Sequence, residues 1–310
     1  MKNKPPPKFL KRAFYWLVPA LIFFGPGLLY GSQTTILATG NLRVVYDEPL
    51  EASAREAERL YPAVKKHLEE TFGWKVDFVP TLVLIKDQPR FQRVAGNPSI
   101  MAFAVPGKNL MVLDHSKTAR HPSGLDKTMT HELCHLLLHH HIRRGNLPRW
   151  LDEGIAQWAS GGMAEILVRP DKSLLHRLVI GRGPVSIRKL SQGFQRQGEP
   201  LFLAYEMSRS FVEYIVQEFG IEGLLGVLTR LKEGAPWEVA FEQALSMPFD
   251  ELEAEWLSHL KRRMTWFTYL SYHLYEILFA LGALLMVYGS IRAFLKKRRY
   301  MAEAEDEPNE

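Results

Sequence analysis

The segment from His131 to His135 reads His-Glu-Leu-Cys-His, and it constrains this 310-residue chain more than any other feature. On a helix, residues four apart share a face, so both histidines can offer ring nitrogens to one tetrahedral Zn²⁺. Glu132 then lies roughly 100° around the helix axis, near the metal without binding it. A carboxylate in that position can take a proton from a zinc-bound water. The spacing predicts one zinc ion per chain and a hydrolytic use for it.

The neighbouring residues favour a helix over this motif. Helix-start signals occupy residues 122–126, leucines and Met129 supply an apolar face, and Gly145-Asn146 predicts the end. A hydrolytic zinc site commonly has three protein ligands and one open position, so a further ligand is expected.

Two residues compete for the role of third ligand. Glu153 lies on a second predicted helix that begins near Pro148, and a short turn can make the two helices antiparallel neighbours. Asp152 would replace it if the register differed by one residue. His141 has a suitable spacing, but the chain would have to turn away at Leu138, a good helix former that does not favour positive φ.

The stretch Trp150-Leu151-Asp152-Glu153-Gly154-Ile155-Ala156 resembles, together with the histidine motif, the W-L-x-E-G-x-A segment of gluzincin metallopeptidases. Residues 204–214 and 251–256 resemble the peptidase-MA-like branch of that family, and the likeness covers most of residues 40–262. It implies a zincin-like α+β fold with a mixed sheet, a zinc-motif helix and a helical C-terminal subdomain. It also implies that Glu153 is the third zinc ligand.

Further roles follow from the same resemblance. The strand before the zinc helix, here Leu110–Leu113, would be the sheet edge that pairs with an extended substrate; the alternative is an ordinary core strand. Tyr205 would stabilise the oxyanion, although it also fits an apolar stripe, and Arg209 is a second candidate. Many gluzincins have an aspartate four residues after the glutamate. Here Gln157 stands there, able to accept a hydrogen bond from a ligand imidazole without carrying charge.

Two other groups near the motif have structural interpretations. Cys134 could bind metal as a thiolate but fits better as a small buried side chain, and a single cysteine forms no internal disulfide. The run His139-His140-His141 is interpreted as a solvated helix end whose positive character suits the helix dipole.

Outside the motif, alternating and amphipathic patterns predict a mixed α+β domain. The predicted elements are strands over Asn41–Asp47, Val79–Lys86, Met101–Val105 and Leu110–Leu113, the last two forming a hairpin, and helices over Leu50–Phe72, Pro200–Gly220, Ala235–Leu245 and Phe249–Leu260.

Two hydrophobic segments flank this domain and predict two transmembrane helices. The first follows a basic N-terminus and has its apolar core at residues 13–30; a signal peptide fits too, but the lack of a clean cleavage site favours an anchor. The second, about Tyr272–Ile291, begins among aromatic residues and ends at Arg292 and further basic residues. The positive-inside rule puts both termini in the cytoplasm and the central domain in the periplasm or exterior, held at the inner or plasma membrane.

The predicted segments are a basic terminus with anchor or signal (1–34), a metallopeptidase domain (35–262), a transmembrane helix (264–292) and a basic, then acidic cytoplasmic tail (293–310). Much of the basic excess behind the net charge of +5 flanks the membrane, so no nucleic-acid partner is predicted.

These patterns and the resemblance predict a membrane-tethered zinc peptidase that acts on peptides or proteins near the bilayer. The alternative is a non-catalytic, membrane-anchored scaffold or binding module of zincin fold. Glu132 beside both histidines argues against it, because binding alone needs no base. An intramembrane protease is disfavoured by the charged residues at 126, 127, 143 and 144.

Overall fold

The computed structural model describes residues 34–118, 124–143, 145–162, 186–194 and 199–305. The chain divides into two compact units, residues 1–256 and 257–310, which are described separately. The predicted N-terminal span at residues 13–30 lies outside the described residues.

One mixed sheet runs through the described part of the first unit. Its strands are β1 (Thr34–Ala38), β2 (Arg43–Asp47), β3 (Thr81–Ile85), β4 (Ala102–Val105) and β5 (Leu110–Asp114), in the order β1-β2-β3-β5-β4. Strands β2, β3 and β5 are parallel, and β1 and β4 pair antiparallel at the two sides. The unbroken apolar run of β3 is typical of a strand buried on both faces.

The predicted hairpin of β4 and β5 is confirmed, with Asn109 in the left-handed region (φ 50°) at the turn. The prediction that Leu110–Leu113 forms the sheet edge is wrong. Strand β5 lies between β3 and β4, and β4 is outermost among the described strands on that side. Every residue of β5 is buried, whereas β4 is mostly half-buried. The fully buried strand of the hairpin is therefore the inner one.

The helices of this unit agree with the predicted mixed α+β class. They are α1 (Glu51–Phe72), α2 (Gln88–Ala95), α3 (His115–Thr118), α4 (Gly124–His141), α5 (Arg149–Ala159), α6 (Ile187–Gly193), α7 (Glu199–Lys232), α8 (Trp237–Leu245) and α9 (Phe249–Tyr272), the last continuing into the second unit. Helix α7 is broken at Gly220, where φ is 71°, so the predicted stop there is confirmed, but helix resumes after it.

Helix α4, which carries the histidine motif, is the central helix of the domain. Every residue from Thr128 to Leu138 is buried, and α4 packs against α1, α5 and strands β4 and β5. Burial all round forces polar side chains on α4 into the protein interior, where they need partners or a bound ion.

Helix α5 is held beside α4 by Trp150, which lies at the centre of an aromatic cluster. Its ring centroid is 5.4 Å from that of Phe211 on α7 and 5.9 Å from that of Phe241 on α8. The ring is almost fully buried, so it stabilises the position of α5 through its large apolar area.

The second unit contains the end of α9 and a further helix, α10 (Leu274–Glu305). Residues Leu274–Arg298 are long and apolar enough to cross a membrane. Large apolar side chains on this helix are exposed, among them Phe279 and Met286. The predicted domain boundary at residue 262 falls inside α9, and α10 continues beyond residue 292, so the predicted span and its basic flank share one helix.

Candidate metal centre

Three buried side chains on α4 and α5 point donor atoms at a common centre. The Nε2 atoms of His131 and His135 are 3.2 Å apart. The Oε2 atom of Glu153 lies 3.5 Å from His135 Nε2 and 3.9 Å from His131 Nε2. The predicted residues are thus brought together by two helices that pack against each other, and together they could hold a metal ion.

The spacing of these donors fits a zinc ion. Four ligands at 2.0–2.1 Å in a tetrahedron are separated from one another by about 3.3–3.4 Å. The three observed separations, 3.2, 3.5 and 3.9 Å, span that value. Two imidazole nitrogens and one carboxylate oxygen are also a ligand set of hydrolytic zinc sites.

The charges at the centre favour a bound cation. Burial alone would raise the pKa of Glu153, but the neighbouring His135 and Arg149 lower it below its ordinary value. Burial would lower the pKa of His135, but Asp152 and Glu153 raise it well above its ordinary value. The carboxylates of Asp152 and Glu153 are thus stabilised by positive charge between them. A proton on His135 or a metal ion can supply that charge.

Asp152 orients His135 from the side opposite to the centre. Its Oδ1 atom accepts a hydrogen bond from His135 Nδ1 at 2.7 Å, which leaves Nε2 facing the other donors. The imidazoles of His135 and His139 hold the pKa of Asp152 well below its usual range despite burial, so the carboxylate is ionised. Asp152 is therefore a partner of a candidate ligand, not the substitute ligand considered from sequence.

The expectation that Gln157 accepts a hydrogen bond from a ligand imidazole is wrong, because within the described residues its buried Oε1 atom accepts no hydrogen bond. Its amide nitrogen donates to the backbone oxygen of Tyr205 at 3.2 Å. Gln157 thus ties α5 to α7. Asp152, not Gln157, contacts the imidazole of His135, because the rotation of α5 against α4 turns Asp152 toward α4.

Arg149 is a site residue that the sequence did not single out. Its Nε atom donates to Glu153 Oε1 at 3.3 Å, and its guanidinium lies over the ring of Phe194 at 4.9 Å. Arg149 therefore holds one carboxylate oxygen while the other faces the histidines. The sequence did contain an indication of this contact, because Arg149 and Glu153 are four residues apart on one predicted helix and so can pair.

The three histidines that end α4 each have a defined partner, so their interpretation as a solvated helix end was incomplete. His139 Nε2 lies 2.8 Å from Asp152 Oδ2, and His140 Nε2 lies 2.8 Å from Asp77 Oδ1. His141 Nε2 lies 3.2 Å from the backbone oxygen of Lys75. Because α4 continues through Leu138, His141 is carried away from the metal donors and does not join them.

Glu132 and Cys134 are fully buried on α4. Burial raises the pKa of the Cys134 thiol, which suits the predicted role as a small packing residue.

Tyr205 is buried on α7 with its ring edge-on to Phe194, at 5.0 Å between centroids. Arg209, the second candidate for the oxyanion, forms an ion pair with Glu213 at 2.7 Å.

Gly154, next to the candidate ligand, lets α5 touch the backbone of α7. A Cβ atom there would lie 2.5 Å from the backbone oxygen of Ser208. We expect Gly154→Ala to lower the free energy of unfolding by about 1–3 kcal/mol, because the helices must separate. Chemical denaturation checks this. Gly107→Ala is the matched control, since nothing lies within 4 Å of its added Cβ. Equal stability of both variants would contradict the close approach.

Known proteins resemble this chain at the level of a superfamily. A search of curated proteins finds no match. Among solved structures, a glutamate-to-alanine mutant of an M1 zinc metallopeptidase from Deinococcus radiodurans is similar, with 13% identity and a TM-score of 0.35 over 74% of this chain and 50% of that one. This chain thus spans half the length of that protein. The model of the peptidase MA superfamily matches residues 104–262, just over half of the sequence and including α4 and α5. This chain belongs to the peptidase MA superfamily.

Proposed function

We propose that this protein is a membrane-tethered, gluzincin-type zinc peptidase. The observation that carries the proposal is the convergence of His131, His135 and Glu153 at 3.2–3.9 Å, with the buried carboxylate of Glu132 on the same helix. Membership in the peptidase MA superfamily supports it.

In this proposal each residue of the centre has one task. His131, His135 and Glu153 hold the zinc ion, Asp152 orients His135, and Arg149 keeps Glu153 ionised and in place. When bound, the ion polarises the substrate carbonyl and makes water a better nucleophile at neutral pH. Glu132 takes the proton of the attacking water and passes it to the leaving amine.

We propose that the substrate pairs with β4 instead of β5. As the outermost described strand on its side, β4 has main-chain groups that an extended peptide can meet, and α4 packs against this strand. Main-chain pairing tolerates many sequences, which suits a peptidase whose preference is set by side-chain pockets.

We propose that α10 anchors the protein in the inner or plasma membrane. Its exposed apolar surface would be costly in water and is favourable in lipid, and Lys296, Lys297 and Arg298 follow the apolar part. The basic end of α10 would face the cytoplasm, and the catalytic domain would be periplasmic or extracellular. The N-terminal segment would also cross the membrane, so that both termini would be cytoplasmic. Substrates would then be peptides or proteins close to the bilayer.

Hydrolysis of casein, an unstructured protein, tests the proposed activity. We expect the full-length chain, purified in detergent and loaded with one zinc equivalent, to release peptides detectable by mass spectrometry. Activity should be lost with 1,10-phenanthroline and recovered on adding zinc. Zinc binding without cleavage of casein or of a random peptide library would favour the scaffold; absence of zinc binding would contradict the metal centre.

Tyr205→Phe tests the oxyanion role. If the Tyr205 hydroxyl donates to the oxyanion, its loss should lower kcat by about 10²-fold. Zinc affinity and unfolding free energy should change little, because the ring still packs against Phe194. Tyr214→Phe on the same helix, whose hydroxyl donates to Glu255 at 3.3 Å, is the matched control. Equal kcat in both variants would restrict Tyr205 to packing.

A further inference from the structure

The carboxylate of Asp152 joins the candidate ligand His135 to a second histidine, His139. Asp152 Oδ1 lies 2.7 Å from His135 Nδ1, and Asp152 Oδ2 lies 2.8 Å from His139 Nε2. We propose that His139 is a positioning residue of the metal centre, which fixes Asp152 so that Asp152 can orient His135 toward zinc. The inference rests on the proposed zinc site and assigns it an additional residue.

The helix geometry explains how one carboxylate reaches both rings. His135 and His139 are four residues apart on α4 and therefore share a face. Asp152, in the first turn of α5, lies against that face. A carboxylate bound through one oxygen can still rotate about its last side-chain bond. Contacts at both oxygens remove that rotation, so the position of Oδ1 under His135 is set by His139 as well.

The hydrogen-bond chemistry allows one arrangement of donors. If Nε2 of His135 offers its lone pair to a metal, Nδ1 carries the proton and donates to Asp152. An ionised carboxylate only accepts hydrogen bonds, so His139 must donate from Nε2. Asp152 thus receives two hydrogen bonds from two imidazoles, one at each carboxylate oxygen.

His139 is also the most exposed of the three side chains in this chain of contacts. Its side chain is 24% exposed, against 13% for Asp152 and 9% for His135. Without His139, water would reach Oδ2 and compete for it. The next residue, His140, pairs instead with Asp77 at 2.8 Å. Its replacement therefore serves as the control for replacement of His139.

Zinc affinity of the full-length protein in detergent tests the role of His139. Wild type, His139→Ala, His139→Gln and the control His140→Ala are titrated with zinc against a chromophoric chelator, and the visible absorption of the Co²⁺-loaded forms is recorded. We expect His139→Ala to bind zinc about tenfold more weakly, at the lower end of losses for residues that support a ligand. Glutamine can place an amide N–H near the position of Nε2, so His139→Gln should recover most of the affinity and the wild-type Co²⁺ spectrum.

The outcomes separate this inference from the proposed function. Unchanged affinity of His139→Ala, no recovery in His139→Gln, or an equal loss in His140→Ala would each overturn the role of His139 while leaving the zinc site intact. Absence of zinc binding by the wild type would instead overturn the metal centre on which the inference rests. Because His139 is partly exposed, its replacement should leave the fold intact, and the unfolding midpoint of each metal-free variant verifies this.

Discussion

Replacing Glu132 with glutamine is expected to lower kcat for peptide hydrolysis by about 10²–10⁴-fold, the usual contribution of a general base. Glutamine keeps the shape of the side chain but cannot take a proton from water. Because Glu132 is fully buried, a neutral replacement also avoids the cost of a buried charge, so the fold should be retained. Zinc content should remain that of the wild type.

The measurement is a pair of assays on the same preparation: kcat on a cleavable peptide and zinc by atomic absorption. Glu70→Gln is the matched control, since Glu70 is an exposed glutamate on α1 that pairs only loosely with Lys66, at 3.6 Å. Full activity in Glu132→Gln with zinc still bound would refute the proposed mechanism. Loss of zinc together with activity would mean that Glu132 supports the metal, not only the proton transfer.

Replacing Glu153 with alanine is expected to weaken zinc binding by more than roughly 100-fold. Loss of a residue that only supports a ligand costs at most about that much, and Glu153 is proposed to bind the metal itself. It removes one of three donors and the hydrogen bond that Arg149 donates to Glu153. Activity without excess zinc should disappear. Chelator competition on the full-length protein measures the affinity, and the denaturation curve of the metal-free form separates ligand loss from unfolding.

Two companion variants make this result specific. His141→Ala should bind zinc like the wild type, because His141 contacts the backbone of Lys75 and not the centre. Asp152→Asn should lose about 10–100-fold, because His135 keeps its bond to zinc but loses a charged partner. If Glu153→Ala retained zinc and His141→Ala lost it, His141 would be the third ligand instead of Glu153. If Asp152→Asn lost as much zinc affinity as Glu153→Ala, Asp152 would be in direct contact with zinc.

The local patterns of the sequence were sufficient for the elements that carry the centre. Four-residue spacing puts His131 and His135 on one helical face wherever the helix packs, and the buried apolar residues around them secure the helix. The two apolar runs likewise predicted the β4–β5 hairpin, and the structure places Asn109 at its turn. These features depend on neighbours in sequence, and they formed as expected.

What the sequence alone left undecided are contacts between elements. Which hairpin strand is the outer one depends on pairing with β3, and the partner of His135 depends on how α5 is rotated against α4, so Asp152 and not Gln157 meets it. The contact of His139 with Asp152 depends on the same rotation. Periodicity specifies which face of a helix is buried, but the position of one helix against another is decided by packing, here through Trp150 and the close contact at Gly154. The sequence therefore determined the candidate ligands and their helices, and the tertiary structure alone decided which side chains contact those candidates.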